Sequence, residues 1–185
     1  MSLILHIPHS SKNIPKKYLP YFYLSKSELK NELLKMTDHY TDQLFCASLD
    51  SLLCIKFPIS RLLVDPERFE EDENEPMSAV GMGCLYSKTH EGKKLKKIEP
   101  IKKELLSKYY KKHHSSFSSI VTDIYKNCGK ALIIDCHSFP KLPLPYEIDQ
   151  NQDRSEICIG TDDFHTPLPL REFFVNFFKK NGFPV

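Results

Sequence analysis

Ala131-Leu132-Ile133-Ile134-Asp135-Cys136-His137-Ser138-Phe139 opens on four apolar residues in a row and closes on a histidine and a serine. An apolar run without alternation fits a strand covered on both faces, as in a parallel sheet with helices on either side. Open α/β sheets gather ligands beyond the carboxyl ends of their strands, which is where this run puts His137. Asp135, two residues earlier, points to the same side and is placed to support a metal-bound imidazole. The competing reading is a strand-end histidine that hydrogen-bonds a neighbour and holds nothing.

Outward from that run, further short apolar stretches at 3–7, 52–57, 62–65 and 156–160 read as strands. Between them, Leu29, Leu33, Met36, Tyr40, Leu44 and Ala47 recur at helical spacing over 26–50. Leu106, Tyr110, Phe117, Val121 and Ile124 do the same over 100–127, where Asn127-Cys128-Gly129 supplies a stop. Strands alternating with helices indicate an α/β domain, with no internal repeat. The acidic stretch 70–76 followed by Gly81-Met82-Gly83 reads as a long surface loop, as does the proline-rich 139–152. A last helix through Leu170, Phe173, Phe174, Phe177 and Phe178 stops at Asn181-Gly182, and Phe183-Pro184-Val185 resembles a strand beginning. The expectation is a single domain over 1–185 cut short at its carboxyl end.

The 185 residues suit one domain. Lys and Arg total 26 against 24 Asp and Glu, a balance that gives no electrostatic reason to expect nucleic acid as a partner. No apolar run is long enough to span a bilayer, and His6, Pro8 and His9 interrupt the N-terminal one before it could act as a secretory signal. Six scattered cysteines without a C-x-x-C pair indicate reduced thiols and a cytoplasmic setting rather than a disulfide framework. The oligomeric state is not legible.

Other segments carry candidate chemistry. His6-Ile7-Pro8-His9-Ser10-Ser11 closes the first strand as 135–138 closes a later one, so His9 can converge with His137, or this is a plain proline turn with a serine cap. In Thr37-Asp38-His39-Tyr40-Thr41-Asp42, a continuous helix puts Asp38 and Asp42 on a solvated face, whereas a break near Thr37 makes Thr37 or Asp38 a cap. Arg61 and Arg68 flank the 62–65 run and suit a substrate carboxylate, or else they pair with Asp65 or Glu67. His113 and His114 border an apolar stripe and read as core histidines or as site residues. Phosphate loops and the Gly-x-Ser-x-Gly elbow are both missing, which disfavours nucleotide and serine-hydrolase chemistry.

Taken together, these segments resemble the N-formylglutamate amidohydrolase family, a relative of zinc carboxypeptidase-like and aspartoacylase-like hydrolases. The matching text is His6-Ile-Pro-His-Ser, Asp38-x-x-Thr-Asp42-x-Leu, Ser60-Arg-x-x-Val-Asp-x-x-Arg68, Pro76-Met-Ser-x-Val-Gly-Met-Gly, Tyr109-Tyr-x-x-x-His114, Asp135-x-His-Ser-Phe139 and Ile159-Gly-Thr-Asp-Asp-Phe-His165, in family order along the whole chain. The resemblance implies a mixed, mostly parallel sheet flanked by helices, as in the carboxypeptidase-like and phosphorylase/hydrolase-like folds. It implies one zinc ion per chain on His9, a carboxylate placed at Asp38 with Asp42 as the alternative, and His137.

It further implies Arg61 and His114 in catalysis, Arg61, Arg68 and Ser138 on a substrate bearing carboxylates, and hydrolysis of N-formyl-L-glutamate to formate and glutamate. A different N-acyl amino acid, or a homologue that only binds a carboxylate ligand, is the competing expectation. The late glutamate that serves carboxypeptidase-like enzymes as general base has no counterpart after 159–165, where the last helix offers only Glu172.

Overall fold

A computed structural model of the protein describes residues 3–46 and 53–185, in two compact units, Met1–Phe139 and Pro140–Val185. The first unit holds a parallel three-stranded sheet of β1 (Leu3–Ile7), β2 (Leu53–Lys56) and β3 (Leu132–Asp135), with β1 in the middle. This is the α/β architecture the sequence indicates, and the described strands of the sheet all run parallel. Pairing sets His6 opposite Ile55 on one side and Asp135 on the other. Two bonds prolong the sheet past its strands, from the Cys136 N–H to the His6 carbonyl (2.9 Å) and from the Phe57 N–H to the Ile7 carbonyl (3.0 Å). His9 and His137 therefore both leave the sheet at its carboxyl edge.

The helix expected over 26–50 is two helices. Ser25 starts α1 (Lys26–Met36) with a capping box, its hydroxyl accepting from the Glu28 N–H and its own N–H donating to the Glu28 carboxylate. Thr37 then turns extended, and Asp38 donates its N–H to the His9 carbonyl at 3.1 Å. Tyr40 lies at φ +64°, a left-handed conformation costly for a bulky residue. The buried Thr41 hydroxyl donates to the Asp38 carbonyl and starts α2 (Thr41–Cys46). This break, hidden in an otherwise continuous apolar stripe, turns Asp38 inward. Ala47 and Leu52, parts of the expected helix and strand, lie outside the described residues.

Further along, α3 (Lys102–Leu105) runs through a π-helical segment (Leu106–Lys111) into α4 (Lys112–Cys128), which Gly129 ends at φ +70°. On α4, His113 and Phe117 stack against His6 of β1.

Several expectations are corrected. The 62–65 run is a tight turn and not a strand: Leu63 and Val64 donate to the Ser60 carbonyl while Leu62, Leu63 and Val64 are buried completely. A short apolar run serves a buried turn as well as a strand. β3 is less covered than its sequence suggests, with Ile133 at 39% exposure, because β3 is an edge of the described sheet. The segment 70–86 is not a loose loop, since Glu75, Met82, Cys84 and Tyr86 are buried. Gly81 explains its chain path: at φ +81° a Cβ would fall 2.6 Å from Lys88 Cγ. The core builds on these irregular parts, with Tyr18, Phe57, Ile59, Leu63 and Leu105 packed together.

Cys46 and Cys54 are joined in a disulfide, against the expectation of reduced thiols throughout; of the other cysteines, Cys84 and Cys136 are buried while Cys128 and Cys158 are exposed. The second unit contains α5 (Leu168–Lys180), ended by Asn181 and Gly182 as read. Its 156–160 stretch forms no strand and shares one backbone bond, Ile157 N–H to the Pro184 carbonyl. Among the described residues, no helix is long and apolar enough to cross a membrane.

Candidate functional site

Four segments of the first unit meet at the carboxyl edge of β1 and β3: the turn after β1 with His9, the break between α1 and α2 with Asp38, the 60–68 turn, and His137 beyond β3. His9 is buried. Its Nε2 lies 2.9 Å from Asp65 Oδ1. An ionised carboxylate only accepts, so His9 carries its proton on Nε2 and leaves a lone pair on Nδ1. That Nδ1 is buried, makes no hydrogen bond, and lies 3.7 Å from Asp38 Oδ2. The same Asp38 oxygen is 2.8 Å from His137 Nδ1, while His137 Nε2 is 3.1 Å from Glu67 Oε1. The second Glu67 oxygen comes within 3.4 Å of His9 Nε2. Asp38 thus faces the Nδ1 atoms of both rings, and Glu67 faces both Nε2 atoms.

Asp65 anchors the group. It is wholly buried and also accepts from Arg61 (3.0 Å), the Tyr86 hydroxyl (2.8 Å) and the Glu67 backbone N–H (3.0 Å). Burial alone would raise its pKa, but Arg61 and His9 outweigh it and hold the carboxyl well below the usual range. Asp38 follows the same logic: burial opposes ionisation, and His137, His9 and Arg61 enforce it. For His137, burial disfavours the charge, yet its bonds to Asp38 and Glu67 push it up to about 10. Lys96 braces the turn from below, its buried ammonium bonding the Leu62 and Tyr86 carbonyls, and burial brings it down to about 7.

Next to this group lies a second. His6 Nδ1 is 2.5 Å from Asp135 Oδ1, and His6 Nε2 is 3.0 Å from His113 Nε2. Burial, helped by His6 and His114, holds His113 down at about 4, so it is a neutral imidazole at pH 7. Donor atoms of His9, Glu67 and His137 lie within 4.8 Å of one another, and so do those of His6, Glu67 and Asp135.

The structure brings His9, Asp38, Arg61 and His137 together, whereas other sequence candidates are engaged elsewhere. Asp135 bonds His6 and not His137; the Nδ1 support for His137 comes from Asp38. Asp42 lies on α2, four residues past Asp38, and lines a neighbouring cleft. His114 donates from Nε2 to the Pro66 carbonyl at 2.9 Å, bracing the 65–68 turn instead of facing His9 or His137. Ser138 donates its hydroxyl to the His39 carbonyl at 2.9 Å, so it ties β3 to the α1–α2 break. Arg68 keeps looser company, 3.7 Å from both Asp65 and Glu75, with a buried Nε that makes no hydrogen bond. Sequence reasoning missed Glu67 and the pairing of His6. Glu67 reads as an ordinary turn acid after Pro66; the only signal was its place two residues after Asp65.

A cleft of about 180 Å³ opens beside the site, lined by Ser10, Lys12, Tyr40, Asp42 and Gln43 among others. Its walls are the immediate chain neighbours of His9 and Asp38.

A family model described as N-formylglutamate amidohydrolase matches residues 1–185, the whole chain. No curated protein and no solved structure matches it.

Proposed function

Because the chain belongs to the N-formylglutamate amidohydrolase family, we propose that it hydrolyses N-formyl-L-glutamate to formate and L-glutamate, with one zinc ion on His9 Nδ1, Asp38 and His137 Nδ1. One observation carries this reading: a buried imidazole nitrogen without a hydrogen bond, its ring locked from behind by Asp65 and its open lone pair facing Asp38. Two imidazoles and a carboxylate suit zinc and leave a coordination position open. When bound, zinc supplies an acidified water and a Lewis acid for the formyl carbonyl.

The protein's own residues do the rest. Asp65 fixes the His9 tautomer, and Glu67 accepts the Nε2–H of His137, so both rings turn Nδ1 to the same carboxylate. Arg61 is a positioning residue: bonded to Asp65 and Tyr86 and 3.6 Å from Asp38, it keeps two buried carboxylates ionised. Arg68, only loosely paired, takes the substrate's α-carboxylate. Lys12, in the cleft, takes the side-chain carboxylate.

The experiment is release of the free amino acid by the zinc-loaded protein across a panel of N-formyl-L-glutamate, N-formyl-L-leucine and N-acetyl-L-glutamate, with formate measured for the two formyl substrates. The expected order puts N-formyl-L-glutamate first. Lys12→Ala is expected to raise its KM about tenfold, the worth of one charge-assisted hydrogen bond, and to leave N-formyl-L-leucine unchanged. Equal losses on both substrates would remove Lys12 from substrate recognition, and no formate from any N-formyl substrate would overturn the proposed activity.

A further inference from the structure

The geometry points to a second divalent-cation site in this chain, built from His6, Asp135 and Glu67 beside the His9–Asp38–His137 group. His6 and Asp135 face each other across β1 and β3 by strand register, so the sheet itself fixes their spacing. Their side chains meet at 2.5 Å, and Glu67 brings a donor atom within 4.8 Å of both. Behind His6, Nε2 meets His113 Nε2 at 3.0 Å. When His6 donates its Nε2–H to His113, its Nδ1 lone pair turns to Asp135 and Glu67, so a cation takes the place of the proton between His6 and Asp135. The device repeats that of His9, where Asp65 receives the Nε2–H and Nδ1 faces the carboxylate.

His113 is itself held in place, tilted against Phe117 and edge-on to Phe57, so the His6 ring is fixed from behind. The half-exposed Asp135 side chain gives a cation a way in from solvent. One imidazole and two carboxylates suit manganese or zinc. Glu67 links the two groups, since it also accepts from His137 Nε2.

This inference does not require the zinc reading, although Glu67 serves both groups, and one experiment separates them. The metal-free full chain is dialysed to equilibrium against Zn²⁺ or Mn²⁺ and the bound metal is counted by elemental analysis. Two ions per chain are expected for the parent, one for Asp135→Asn, one for His9→Asn and none for the double variant. An Asp135→Asn protein that binds as many ions as the parent overturns the second site. A parent that binds one ion, lost in His9→Asn and kept in Asp135→Asn, overturns it and leaves the zinc reading standing. The reverse pattern overturns the zinc reading and leaves this one, and a parent that binds none overturns both. Where Asp135→Asn fails to fold, Mn²⁺ titration of the unaltered chain followed by electron paramagnetic resonance decides: two classes of bound Mn²⁺ support the site, and one class overturns it.

Discussion

His9→Ala is expected to release formate from N-formyl-L-glutamate about 10³-fold more slowly than the parent, or slower still, and to hold no ion at the His9–Asp38–His137 group. Three features converge on that side chain. It is buried at the mouth of the sheet, its Nε2 is fixed by the wholly buried Asp65, and its Nδ1 makes no hydrogen bond. Burying a polar atom without a partner is unfavourable by about 1–3 kcal/mol, and the proposed zinc would give this Nδ1 the partner it lacks in the protein. Because alanine also removes ring volume, the comparison uses metal content and formate release on protein of matched thermal midpoint. A variant that turns over at parental speed would take His9 out of the reaction.

The largest effect on stability is expected at Asp65. Asp65→Ala removes the acceptor shared by His9, Arg61, Tyr86 and the Glu67 backbone. What remains is a nearly buried guanidinium deprived of its closest carboxylate, and breaking a buried pair from one side typically lowers stability by about 3–5 kcal/mol. For a chain of this size each kcal/mol shifts the thermal midpoint by about 2–4 °C, so a fall on the order of 10 °C is expected in a calorimetric scan. A change of a degree or two would mean that Arg61 and Tyr86 find other partners readily and that Asp65 is not the anchor of the turn. Asp65→Asn keeps an acceptor for the His9 Nε2–H and is expected to fall between parent and alanine variant.

Much of this arrangement is legible in the residues. Apolar runs at 3–7 and 131–136 end two residues and one residue before a histidine, and parallel strands bring such ends to one edge. That is why the sequence alone can pair His9 with His137. Asp38 is legible only in part: the Leu29–Tyr40 stripe favours an unbroken helix with Asp38 outside, and the break depends on the backbone bond from Asp38 to His9, a long-range contact with no local signature.

Glu67 was hidden because nothing distinguishes a turn acid that reaches two histidines from one in water. The 62–65 run misled for a related reason, since complete burial leaves the same apolar composition on a turn as on a strand. Side-chain alternation along one strand assigns Asp135 to His137; the register with β1 gives it to His6 instead. Lateral pairing is a property of the sheet and is absent from any single strand's sequence.

The most direct measurement is formate release from N-formyl-L-glutamate by the full chain after exhaustive chelation, and again after zinc is restored. Release is expected to stop once elemental analysis finds no metal, and to return with zinc in the parent and fail to return in His9→Ala. Undiminished release by protein shown to be metal-free would contradict the account, as would a parent that binds zinc at His9, Asp38 and His137 and leaves the formyl group uncut.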